Sequence, residues 1–170
     1  MKPMAAAGRR VSAGLLLAAL VIVLDQLSKL LVLARWRYSA DMRQPVLGWL
    51  DLELSWNRGV SFSIGSHLGA YDRFLFVALA VLVSAWLVRW MAKGARPLVL
   101  LALGLVVGGA LGNALDRLRF GAVEDFIYVH FGSFDWWPIF NLADSSICVG
   151  AALMILDSLF DRPLSHKNTP

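Results

Sequence analysis

Charge is scarce in this sequence. Only 16% of its 170 residues are Asp, Glu, Lys or Arg, and 58% are hydrophobic, whereas soluble domains run near 25% charged and about 45–50% apolar. With a mean hydropathy of +0.64, the composition excludes an ordinary soluble domain and points to a membrane protein. Cysteine is reduced to Cys148. An intramolecular disulfide is therefore impossible, and a lone thiol in an apolar run says nothing about redox compartment. Histidine is limited to His67, His130 and His166, scattered where metal ligation wants a cluster. Low-complexity stretches, linkers and internal repeats are missing too, so residues 1–170 read as one domain. Lys and Arg outnumber Asp and Glu, 16 to 12. The basic residues sit at the edges of apolar runs, which suits membrane topology and anionic headgroups and argues against a nucleic-acid surface.

What the chain has in abundance is long apolar runs. About 20 helical residues cross about 30 Å of hydrocarbon, and this reads as an α-helical integral membrane protein with four transmembrane helices, near residues 11–34, 74–91, 97–115 and 136–156. The first run is too long for a secretory signal and contains Asp25 and Lys29, so it is expected to be retained. An even number of spans puts both termini on one side. That side, residues 1–10, 89–96 and 157–170, holds eight Lys/Arg in 32 positions, against seven in 59 opposite. The denser side is expected to be cytoplasmic.

Between the first two runs, "WLDLELSW" alternates Leu50, Leu52, Leu54 and Trp56 with polar residues, the period of a half-buried strand. "NRG" supplies a turn signal, and "VSFSI" resumes the alternation. A small extracytoplasmic β-rich platform over about 45–66 is expected. Its apolar face requires a partner: the bilayer, the helix bundle or a bound peptide.

Polar groups at membrane depth carry the chemistry. Asp25 and Lys29 stand four apart on one helix face, acid first, the favourable order for a helical ion pair. Gly104, Gly108 and Gly112 repeat every fourth residue of the third run, spacing that lets helices approach closely. Asn113, Asp116 and Arg117 follow, and on spacing alone a salt-bridged helix end accounts for the last two. Asp144 interrupts the fourth run about eight residues, or about 12 Å, from Trp136. There a loop carboxylate, Asp125, can meet it.

Two close carboxylates cannot both ionise cheaply and tend to share a proton. One then activates water while the other polarises a carbonyl, the logic of an aspartic protease. Asn141 precedes Asp144 by one turn and can orient the pair. Ser145 and Ser146 have no histidine pointed at them by local spacing. The acid motif of membrane phosphotransferases fails at Phe120, and the G-x-G-D element of presenilin-type proteases is absent. A small carrier or proton relay remains the alternative, since buried Asp and Lys mark such pathways. It would be expected to show inverted repeats or broken helices.

Five blocks in order, "DQLSK" (25–29), "NRGVSF" (57–62), "GGALGNALDR" (108–117), "VEDF" (123–126) and "FNLADSSI" (140–147), resemble the lipoprotein signal peptidase (signal peptidase II) family. The resemblance implies four transmembrane helices with an outer β-rich platform, in the bacterial cytoplasmic (inner) membrane, with the active site facing outward. It implies an aspartic endopeptidase that cleaves prolipoproteins before a diacylglyceryl-modified cysteine. Asp125 and Asp144 match the catalytic positions, and Asn57, Gly59, Asn113, Arg117 and Asn141 match positions that line or support the site. Asp25, Lys29 and Asp116 match more structural positions. No metal or organic cofactor is implied; membrane lipids surround the chain, and a monomer is expected.

Overall fold

The structure, a computed structural model, describes residues 3–36 (side chains from 11 onward), 43–59, 71–132 and 137–160. The elements run α1 (Pro3–Trp36), β1 (Arg43–Leu47), β2 (Leu50–Asn57), α2 (Asp72–Ala92), α3 (Pro97–Phe120), β3 (Val123–Val129) and α4 (Leu142–Phe160). Among the described residues four stretches, Val11–Trp36, Asp72–Ala92, Pro97–Phe120 and Leu142–Phe160, are long and apolar enough to cross a membrane. Leu16, Leu31, Leu82, Trp86 and Leu159 stay exposed on the bundle's outside, where lipid, not water, is the solvent.

α3 is the central helix, packed against α1, α2 and α4. Of its most apolar window 61% is buried, against 28% or less for the other spans. Glycine makes this possible. A Cβ on Gly104 would stand 2.7 Å from the Gly14 carbonyl, and one on Gly108 would stand 2.7 Å from Val21 Cβ. The stripe is therefore closed by α1, as a packing role requires, and leaves no groove there. α3 runs past the expected end near residue 115, so Asp116 and Arg117 lie inside the helix. Gly121 ends it in the left-handed region, φ 73°, where a residue without Cβ is favoured, and turns the chain back into β3.

The sheet is antiparallel in the order β1-β2-β3. The alternating stretch is indeed a strand, β2, and it pairs with β1 across a turn at Gly48 and Trp49. Its Leu52 and Leu54, with Ile127, pack on Val32, Trp36 and Phe126. Among the alternatives for the platform's apolar face, the end of α1 is the partner found. "VSFSI" lies outside the described residues.

Two expectations need correction. Asp125 sits in a strand, not a loop: it lies in β3, opposite Ser55 of β2. The fourth helix starts at Leu142, not near 136, because Phe140 spends its backbone groups on β3. Phe140 accepts the Ile127 N–H at 2.7 Å and donates its own to the Ile127 carbonyl at 3.0 Å. Asp144 is consequently in the first turn of α4, not two turns deep.

Candidate active site

A buried ion cluster braces the site from below. Lys29 Nζ lies 2.8 Å from Asp25 Oδ2 and 2.7 Å from Asp116 Oδ2, and donates to Asn113 Oδ1 at 3.2 Å. The Asp25–Lys29 pair is thus one side of a triad joining α1 to α3. Asp25 Oδ1 also accepts the Ala143 N–H at 3.0 Å, and Asp116 Oδ2 accepts the Glu124 N–H at 3.3 Å. Three carboxylate contacts therefore fix where α3, β3 and the first turn of α4 stand relative to α1. Gln26, inside "DQLSK" but not singled out from the sequence, donates to Asp116 Oδ1 at 2.8 Å.

The start of α4 is a reciprocal cap. Asn141 Oδ1 accepts the Asp144 N–H at 2.8 Å, and Asp144 Oδ2 accepts the Asn141 N–H at 3.2 Å. This is the capping-box arrangement, with Asn at the cap and a carboxylate three residues on. The pattern N-L-A-D was there to be read in the sequence; the apolar run around it concealed the helix start. Capping fixes the Asp144 carboxylate and leaves the Asn141 amide nitrogen free to reach outward. That nitrogen donates to Asp125 Oδ1 at 2.6 Å, Asn113 Oδ1 at 3.1 Å and the Glu124 carbonyl at 3.2 Å. Asn113 in turn donates from Nδ2 to Asp144 Oδ1 at 2.8 Å. Asn141 thereby touches both carboxylates, one through its side chain and one through its backbone.

Asp125 is 2% exposed. Burial, reinforced by the charge of Asp144, lifts its pKa to about 7, while hydrogen bonds with Asn57 and Asn141 oppose the rise. At neutral pH this carboxyl is close to half protonated, the poise that acid–base work requires. Asn57 Oδ1 also accepts the Gly59 N–H at 3.1 Å. Arg117 reaches the same corner, donating from Nη2 to the Gly59 carbonyl at 2.9 Å, with its guanidinium 5.0 Å from the Phe76 ring centre. All ten residues anticipated from the sequence belong to this one connected region.

A family model described as "Signal peptidase (SPase) II" matches residues 17–160. The chain belongs to the signal peptidase II family. Among curated relatives, the lipoprotein signal peptidase of Chromobacterium violaceum is 48% identical over 145 residues, covering 84% of this chain and 88% of that protein. The one from Azoarcus sp. (strain BH72) is 45% identical over 154 residues, covering 90% and 85%. A solved structure described as a "Bacterial membrane enzyme structure by the in meso method" superposes with a TM-score of 0.77 at 28% identity, covering 94% of each chain. This signal peptidase II chain is accordingly a multi-pass membrane hydrolase that removes signal peptides from prolipoproteins, and the carrier reading is not favoured. The cluster on Lys29, the capped start of α4 and β3 all fall inside the matched span.

Proposed function

We propose that Asp125 and Asp144 are the catalytic pair of this peptidase and that it cuts prolipoproteins just before a diacylglyceryl-modified cysteine. The observation that carries this reading is Asn141, hydrogen-bonded to one carboxylate through its side chain and to the other through its backbone. The pair titrates as a unit. In the resting state the shared proton sits on Asp125, whose burial favours the neutral form.

Asp144 then takes a proton from water as its oxygen attacks the scissile carbonyl, and Asp125 gives its proton to the carbonyl oxygen. Collapse of the tetrahedral intermediate returns that proton to Asp125, while Asp144 passes its proton to the leaving amine. Both carboxyls end as they began, and the peptide bond has gained the elements of water. Arg117 and Asn113 line this corner and supply donors for an extended substrate backbone.

The site faces the outer surface of the bacterial cytoplasmic membrane, both termini lie in the cytoplasm, and the enzyme works as a monomer. Acyl chains of the modified cysteine would hold the scissile bond at headgroup depth, and Asp144 in the first turn of a spanning helix lies at the matching level. Purified protein incubated with a diacylglyceryl-modified prolipoprotein should release the signal peptide, read as a mass shift. Asp125→Asn and Asp144→Asn should each insert and fold normally yet abolish the shift. Near-normal turnover by either variant refutes the pair.

A further inference from the structure

Glu124 is a buried carboxyl that the chemistry above does not use. It is 0% exposed, and among the described residues neither of its carboxyl oxygens has a hydrogen-bond partner. Buried polar groups are nearly always paired, and the exceptions call for an explanation. Its backbone, by contrast, is tied at both ends: the N–H to Asp116 Oδ2 and the carbonyl to the Asn141 amide.

The groups that face it are mostly of its own sign. Asp25 and Lys29 reach it electrostatically from α1, Asp116 from α3 and Asp125 from its own strand. β2 presents Trp56 directly opposite, and α4 presents Asn141; neither is charged. Lys29 is already committed to Asp25, Asp116 and Asn113. Among the described residues an ionised Glu124 would therefore be a buried anion without a donor, beside three other carboxyls and one cation that is taken. Such a group either stays neutral or rearranges its surroundings.

We propose that Glu124 is a positioning residue for the catalytic pair: its carboxyl serves while it carries a proton, and loss of that proton draws Lys29 away from Asn113 and unseats Asp144. This rests on the reading of Asp125 and Asp144 as that pair. The route is short. Lys29 holds Asn113 Oδ1, Asn113 Nδ2 holds Asp144 Oδ1 at 2.8 Å, and the Glu124 carbonyl shares the Asn141 amide with Asp125. Burial first, and the Asp116 charge second, keep the carboxyl protonated up to about pH 8. Neutral pH thus finds the residue in its serving form.

The test is the alkaline limb of cleavage by the full-length enzyme in detergent, compared with Glu124→Gln and Glu124→Val. Above pH 8 the wild type loses two protons that matter, one from the pair and one from Glu124. Its log kcat should fall by about two per pH unit, a roughly hundredfold loss, with KM little changed. Either variant, whatever its rate at pH 6.5, should fall by only about one per unit. The same slope in the wild type and a folded variant overturns the proposal. So does failure of both variants to fold at pH 6.5, where the native carboxyl is already neutral.

A second readout is independent of turnover. In an Asp125→Asn background, thermal midpoints should drop as pH rises from about 5 to about 8.5, and Glu124→Gln should remove that drop. A drop that persists with Gln overturns the role of Glu124. Should the asparagine variants of the pair prove active, the catalytic reading fails, and this thermal comparison still decides the titration of Glu124.

Discussion

At the scale of single residues, the clearest lesson concerns Lys29. An isolated helical pair with Asp25 could be replaced as a unit at little cost, since removing both partners of a buried pair is often nearly neutral. The cation instead serves Asp25 and Asp116 together. Lys29→Met should cost about 3–5 kcal/mol, seen as a lower thermal midpoint in detergent. Adding Asp25→Leu should not restore it, because Asp116 stays uncompensated and the Ala143 N–H loses its acceptor. Adding Asp116→Asn to Lys29→Met should recover more. Asn141→Ala removes the cap of α4, worth about 1 kcal/mol, and the bridge between the carboxylates. A stability loss of that size should accompany a fall in kcat of about 100-fold, the scale of a misplaced reacting group; equal rates would place the bridge outside the chemistry. pH acts at this scale too. The Asp125 carboxyl is raised from 3.8 to about 7, so the folded state holds a proton that the unfolded chain has lost. Its contribution to stability is fully present below about pH 4 and is lost as pH rises through about 7. Above that, Asp125 has lost the proton it would donate. The cleavage rate should decline on the alkaline side from about pH 7, and Asp125→Asn should make this part of the stability–pH curve shallower, leaving the slope that Glu124 contributes.

At the scale of elements, glycine sets how closely the helices approach and so where the site assembles. On Gly108 a Cβ would meet the Ala18 carbonyl at 2.8 Å as well as Val21, so backbone would have to move. Gly108→Ala should destabilise by about 1–3 kcal/mol, with lower folded yield, and should reduce activity by displacing α1 and its Lys29. A variant that is as stable and active as the wild type would refute the close approach. β3 shows what a strand adds that a loop could not. Its register places Asp125 opposite Ser55 and Asn57 opposite Val123, and the isolated bridge from Ile127 to Phe140 carries the chain to Asn141 beside Asp125. The two carboxylates, 19 positions apart in the sequence, come to share Asn141 because a strand and a helix cap are joined by that bridge.

At the scale of the whole molecule, the sheet and the carboxylate cluster lie at the bundle end where α1 and α3 finish and α4 starts. Accessible reporters should find residue 48 outside the cell and residues 93–94 in the cytoplasm; residue 48 on the cytoplasmic side would turn the site away from secreted substrates. The sequence by itself determined the solvent and the cast. Hydropathy summed over about 20 residues is a local quantity, as is a strand's alternation, so the four spans and β2 were legible one stretch at a time. The residues of the site were legible for a related reason: Asp25, Lys29, Asp116 and Asp144 are costly in an apolar run and so stand out. Only the tertiary structure decided who meets whom. Asp25 caps the turn at Ala143 across 118 positions, Lys29 divides itself between two helices, and the Glu124 carboxyl is sealed in without a hydrogen-bond partner among the described residues. β3 is fully buried over its first four residues, so it shows no alternation to read. The start of α4 was hidden as well, because Phe140 gives its backbone to the sheet. Contacts of this kind depend on the packing of elements far apart in the chain, and no local period records them.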